Sequence, residues 1–429
     1  MAAGGISEER RAKKIVPLCL IFSFPARATS SEARASNIGN MVKEEDTIVI
    51  DVGSSSAKAG FSGEDMPRAV CPSVAEDLHL SAEELSTYRA RRPESRECYV
   101  QYGADKGAEV VSTGEHPVRR GILRDIDEME KLVDNLFNFE LAAYAGAHTP
   151  VLMVEPPLNE RAQRQEMAGM MFETFKVPAL SVCNSSVLAL FASGRTRGLA
   201  LEVGGGVAHA VPVFEGFALN HAVLRLEGAG QDITHRLKLL LEERGHHLPF
   251  DTVRDIKEKL CYITNAHGAP PGEDEYELPD GSTVTLDSEC RSQAAELIFN
   301  PQAGGKEFAA QATDGGLASM VMQSVSMCDK DINPDLLGSV VVAGGTTMMP
   351  GFVERLKDDL DKASPPGAST MASVIPHPTS HEPGYNAQRK HAPWIGGSML
   401  ASLSPFKQLQ VTRQEYEDSG ESIIHRIFL

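Results

Sequence analysis

Two short hairpins of one design, far apart in the chain, limit what this sequence can fold into. The first, residues 48–63, reads IVIDVGSSSAKAGFSG. Ile48, Val49 and Ile50 have the character of a buried strand, and Asp51 stands at its end. Gly53, Ser54, Ser55 and Ser56 make a tight turn of small residues, after which 57–61 returns as a second strand. The second copy, residues 199–212, reads LALEVGGGVAHAVP. At a constant offset of 151, Asp51 falls on Glu202, Gly53 on Gly204, Ala57 on Ala208, Lys58 on His209 and Ala59 on Ala210. Small residues let backbone N–H groups approach a phosphate closely, and seryl hydroxyls add donors. Lys58 brings a point charge, and a carboxylate at a strand end beside phosphates suits a hydrated Mg²⁺. The pattern predicts a duplicated fold with phosphates clamped between its halves. Two unrelated β-turns are the competing reading.

At 429 residues the chain exceeds one ordinary core, so two domains are expected. Hydrophobic content of 42% with 23% charged residues is that of a globular protein. A formal net charge of −18 argues against nucleic acid as a direct partner and against an anionic membrane surface. Seven cysteines, an odd and scattered set without a CxxC pair, fit free thiols in a reducing compartment and no zinc site.

Residues 1–40 differ from the rest. Arg10, Arg11, Lys13 and Lys14 precede a ten-residue apolar run, 15–24, which is the outline of a leader and is too short to span a bilayer as a helix. Because Met41 opens MVKEEDTIVIDVG, an extension without function, a leader and a disordered tail all remain open. Residues 73–99 form a polar insertion, with a short helix expected at 82–88 and a cluster of Arg89, Arg91, Arg92 and Arg96. Helical periodicity marks 126–136 and 161–175, the latter with Met167, Met170, Met171 and Phe175 turned inward. Residues 151–154 read as a buried strand, and 187–191 as part of a helix ending at Gly194. Gly228-Ala229-Gly230 feeds Asp232 and an apolar helix, an arrangement able to receive a phosphate or ribose. A charged helix is expected at 255–262, a hairpin at 276–286, a loop at 364–383 and a small-residue helix from Trp394. The strand 340–343 enters Gly344-Gly345-Thr346, a close-approach turn suited to a nucleotide.

Longer stretches carry a resemblance. They include KAGFSGEDMPRAVCPS (58–73), MFETFKVPAL (171–180), LFASGRTRG (190–198), DIKEKLCY (255–262), VVAGGTTMMPG (341–351) and WIGGSMLASLSPFKQ (394–408). In order and spacing the chain after Met41 resembles the actin family. The resemblance implies an α/β fold of the actin-like ATPase type: two similar α/β domains with inserted subdomains, a ribonuclease-H-like duplication around a nucleotide cleft. The expected division is 41–182 for the first domain, 183–388 for the second and 389–429 for a C-terminal segment returning to the first. ATP or ADP with Mg²⁺ (or Ca²⁺) is the implied cofactor.

Residue by residue, the resemblance places Asp51, Gly53, Ser54, Ser55 and Lys58 in the first phosphate loop. Gly204, Gly205, Gly206, Val207 and His209 match the second. Asp51 and Glu202 would hold the cation through water, and Asp51, Glu202 and His209 would serve catalysis. Gly230 and Asp232 match the stretch near the ribose, Lys257 and Glu258 the ribose and base edge. Gly344, Gly345, Thr346, Met348 and Lys390 match the adenine surroundings. The second loop of actins reads D-S-G-D-G, whereas here Glu202 is lengthened and Gly205 lacks the carboxylate. Ser185 stands where the family has the glutamine that orients water, and a serine is too short for that role. Weak or slow hydrolysis is therefore expected. The longer, arginine-bearing insertion and the HRIFL ending predict poor self-polymerisation. Implied partners are other actins or actin-binding proteins, or a multiprotein complex in which the nucleotide is structural. A small-molecule kinase is disfavoured because nothing marks a substrate base. A cytoplasmic, cytoskeletal location is implied, a nuclear one is compatible, and no transmembrane segment is expected.

Overall fold

The computed structural model describes residues 46–74, 116–141, 148–264, 272–278, 280–304, 315–364, 371–377 and 383–427. The leader-like segment, the expected helix at 82–88 and the arginine cluster lie outside the described residues.

The first half is built on β1 (Ile48–Val52), β2 (Ser56–Phe61) and β3 (Ala69–Pro72). A small hairpin of β4 (Val118–Arg119) and β5 (Ile122–Leu123) follows, then helix α1 (Ile126–Asn135), β6 (Val151–Glu155), helix α2 (Arg161–Gly169) and β7 (Ala179–Asn184). Asp125 caps α1 by accepting the Glu128 N–H, and the expected apolar positions Met129, Val133 and Leu136 are buried. Helix α2 widens after Gly169 into a π-type turn, Met170–Thr174, in place of the uniform helix expected to Phe175. Met170 and Met171 are nevertheless buried. The boundary expected after residue 182 falls inside β7, whose pairing with β6 runs to Asn184.

Helix α3 (Ser185–Ala192) then leads to β8 (Gly198–Val203), β9 (Ala208–Phe214), β10 (Phe217–Ala218) and β11 (Leu224–Leu226). Next come helix α4 (Gly230–Glu243), α5 (Phe250–Leu260), and the hairpin of β12 (Asp274–Glu277) and β13 (Thr283–Leu286). Helix α5 starts five residues before the expected Asp255, and of the added residues Val253 is buried while Phe250 is exposed. Helix α6 (Gly316–Ser326), β14 (Val340–Ala343), α7 (Phe352–Ala363) and β15 (Val374–Ile375) complete this half. The stretch read as loop, 364–383, thus contains a short strand, held by Val340↔Val374 pairing that two residues announce too weakly in sequence. Helix α8 (Ala392–Ala401) and β16 (Val411–Thr412) return the chain to the first sheet, where Val411 pairs with Leu180.

The two sheets repeat one topology. Strands β7, β6 and β1 run parallel, with β2 and β3 antiparallel at one side; β15, β14 and β8 run parallel, with β9 and β10 antiparallel. Each half has its own apolar core. A third core joins them: Val49 and Leu152 of the first sheet and Val211 and Val341 of the second pack around α3 and α8. The buried Trp394 donates its indole N–H to the Val49 carbonyl at 2.9 Å. The backbones of α3 and α8 approach so closely that a Cβ on Gly396 would lie 1.9 Å from the Leu188 carbonyl oxygen.

Candidate functional site

The duplicated hairpins match in detail. Asp51 pairs with Lys58 across β1 and β2, and Glu202 with His209 across β8 and β9. Each turn is closed by the same bond, Gly53 N–H to the Ser56 carbonyl and Gly204 N–H to the Val207 carbonyl, both at 3.0 Å. The offset of 151 read in the sequence is therefore a repeat of backbone hydrogen bonding.

The two turns carry different chemistry. In the first, the Lys58 ammonium lies 3.1 Å from the Asp51 carboxylate and donates to the Ser56 carbonyl at 3.2 Å. In the second, one oxygen of Glu202 accepts from the hydroxyls of Ser185 at 2.8 Å and Ser186 at 2.9 Å. Burial raises the Glu202 carboxyl above its ordinary range, these two hydrogen bonds oppose that, and the neighbouring Asp51 charge adds to it. Asn184, at the start of α3, accepts from the Ser186 and Val187 amides and so fixes the turn that presents both serines.

His209 is 3% exposed, and its Nε2 has no hydrogen-bond partner among the described residues. Burial, and then the Arg225 charge on the paired strand β11, push its pKa down to about 3. The folded protein thus refuses a proton that the unfolded chain takes up below about pH 6.5. Stability from neutral His209 is complete above that pH and is lost as pH falls toward about 3. Urea midpoints of the wild-type protein and a His209→Gln variant, measured from pH 7 to pH 4, are expected to converge as the pH drops. The His209 contribution amounts to at most about 1.4 kcal/mol per pH unit. Parallel curves would show that His209 does not titrate in this window on unfolding.

The turns face each other in direct contact. A Cβ on Gly205 would lie 2.0 Å from Ser55 Oγ, and one on Gly206 would lie 2.6 Å from Ser54 Oγ. The Gly204 carbonyl accepts from the Gly230 amide at 3.1 Å and the Thr346 hydroxyl at 2.8 Å, and the Gly205 carbonyl accepts from the Gln231 amide at 2.6 Å. With these carbonyls engaged, the amides of Ser54, Ser55, Gly205, Gly206 and Val207 donate to no acceptor among the described residues. Five unpaired donors on two touching turns, with Lys58 beside them, are the donor set an anionic group requires.

Of the remaining sequence-derived residues, Gly230 and Thr346 bond directly to the second turn. Gly230 opens α4, and its carbonyl accepts from Lys257 Nζ at 3.3 Å. Burial lowers the Lys257 pKa, while Glu258, 4.0 Å away and half exposed, raises it. Gly344 adopts φ +97°, and its Cβ would strike the Val203 carbonyl at 2.3 Å, so only glycine lets this turn pass against β8. Gly345 opens onto free space: a Cβ added there would meet no atom within 4 Å. Met348 ends the same 3-10 turn and is partly buried. Lys390 follows Arg389, whose carbonyl receives the Gly344 amide at 3.0 Å. The Asp232 carboxylate accepts from the Ala229 amide at 3.0 Å and from both terminal nitrogens of Arg120, at 2.8 and 3.3 Å.

Arg120 and Gln231 are participants that sequence reasoning does not single out. Arg120 sits in the turn between β4 and β5, in the first half, and reaches α4 in the second. Its own carbonyl is held by Arg225 at 2.6 Å, and the next residue, Gly121, donates its amide to Ser54 Oγ at 2.9 Å. The sequence signal is HPVRRG, two arginines before a glycine, which does not reveal a partner over a hundred residues away.

A repeated α/β unit with paired acid-and-glycine hairpins meeting between its halves defines a duplicated two-sheet protein. A family model described as Actin matches residues 42–429, and the chain belongs to the actin family.

Proposed function

We propose that this protein binds ATP or ADP with Mg²⁺ (or Ca²⁺) between its halves, hydrolyses it slowly, and acts as an actin-like cytoskeletal protein. The observation that carries the reading is the set of five unpaired amides on two touching turns. Ser54, Ser55, Lys58 and Gly204 to Val207 would receive the phosphates, and Asp51 and Glu202 would hold the hydrated cation. Gly230, Asp232, Lys257 and Glu258 would border the ribose, and Gly344, Gly345, Thr346, Met348 and Lys390 the adenine. When bound, a triphosphate would supply the transferable phosphoryl group, and the cation would offset its charge.

What this chain's own residues contribute supports slow turnover. The Ser185 hydroxyl donates to Glu202 at 2.8 Å and so has no proton left to donate to a water. Position 205 offers no carboxylate, and the space its side chain would use is taken by Ser55. Loss of one positioning group in such a site commonly costs on the order of 10²-fold in rate. His209, held neutral by burial, has one ring nitrogen, Nε2, without a partner among the described residues and able to make a hydrogen bond.

Chromatography of nucleotide released from purified protein beginning at Met41 tests both parts. ATP is expected to predominate. Mostly ADP would overturn the slow-hydrolysis reading, and absence of nucleotide would overturn the binding reading. Discrete partners at fixed stoichiometry on copurification would move the assignment to a complex subunit.

A further inference from the structure

We infer that Gln231 is a positioning residue that aims one amide donor on each glycine turn, given the reading that nucleotide phosphate binds there. Gln231 lies in the first turn of α4, in the second half of the molecule. Its backbone N–H donates to the Gly205 carbonyl at 2.6 Å. Its side-chain Nε2 crosses to the first half and donates to the Ser54 carbonyl at 3.1 Å and Ser55 Oγ at 3.3 Å.

The consequence follows from peptide planarity. In a trans peptide unit the C=O and the following N–H point in opposite directions. Holding the Ser54 carbonyl therefore turns the Ser55 N–H away from Gln231, and holding the Gly205 carbonyl does the same for the Gly206 N–H. Both amides belong to the set without an acceptor among the described residues. One residue thus fixes one peptide unit on each turn, and it does so across the cleft.

Gln231 is itself held in place. Its neighbour Asp232 is gripped by Arg120, and Gly121, next to Arg120, donates to Ser54 Oγ. The first turn, the β4–β5 hairpin and the start of α4 form a closed ring of bonds. Gln231 completes that ring through donation, a role a carboxylate of the same length cannot fill.

The experiment compares release of a fluorescent ATP analogue from the wild-type full chain and from Gln231→Ala, Gln231→Glu and Gln231→Arg variants. Trp394 emission and the thermal midpoint report folding. Gln231→Ala and Gln231→Glu are expected to release the analogue about tenfold faster, the size of one hydrogen bond to the site. Gln231→Arg keeps a donor and is expected to stay within about threefold of wild type. Unchanged release from Gln231→Ala, with binding to the wild type intact, overturns the inference alone. Slow release from Gln231→Glu does the same, since donation would not be the operative interaction. Failure of the wild type to bind the analogue overturns the nucleotide reading itself.

Discussion

Gly396→Ala is expected to destabilise the protein by about 3 kcal/mol or more, the upper end of what overpacking costs. The added Cβ would lie 1.9 Å from the Leu188 carbonyl oxygen and 2.5 Å from its carbon, so backbone rather than a flexible side chain must yield. The collision falls where α3 and α8 cross between the two sheets, so both halves share the strain. Trp394, the single tryptophan, is two residues away and fully buried, which makes its fluorescence a direct readout of unfolding in urea. Gly384→Ala serves as the control: its Cβ meets nothing within 4 Å, it lies in the helix Pro383–Gln388, and a neutral or slightly stabilising effect is expected. Equal midpoints for the two variants would show that α3 and α8 do not pack this closely.

Gly205→Asp is expected to weaken nucleotide binding when made alone and to speed hydrolysis when combined with Ser55→Gly. Alone, its Cβ would meet Ser55 Oγ at 2.0 Å and Ser55 Cβ at 2.8 Å, forcing the two turns apart. Removing the serine side chain frees that volume for the new carboxylate. Coupling between residues in contact runs to about 0.5–3 kcal/mol, so the double variant should bind well above the additive expectation. Phosphate release from the double variant is expected to rise on the order of tenfold or more, part of the 10²-fold that one positioning group commands. A double-mutant cycle on nucleotide affinity, with single-turnover phosphate release, measures both effects. Additive losses would mean that Ser55 and Gly205 do not share space, and unchanged release would mean that the missing carboxylate does not limit hydrolysis.

Ser55 and Gly205 also show how sequence and structure divide the account. In the sequence Gly205 stands out as a departure from the family pattern, a carboxylate lost. In the folded protein the volume vacated at 205 is the volume Ser55 enters, which makes the two positions one unit. Glu202 and Ser185 behave alike: in sequence they are separate departures, and in space they are joined by a 2.8 Å hydrogen bond. Such pairs are invisible to spacing because their members are 150 and 17 positions apart along the chain but adjacent in space.

What the sequence determined by itself was the repeat. Strand, acid, glycine turn and return strand are local features, set by side-chain size and alternation within about a dozen residues, and 48–63 and 199–212 each carry the whole pattern. The apolar faces of α1 and α4 are legible for the same reason. Tertiary structure alone decided how the two copies meet. Arg120 on Asp232, Gln231 on Ser54 and Ser55, and Gly396 against Leu188 each join residues more than a hundred positions apart. No local propensity encodes such contacts, because their geometry exists only once both sheets have formed and the third core has drawn the halves together.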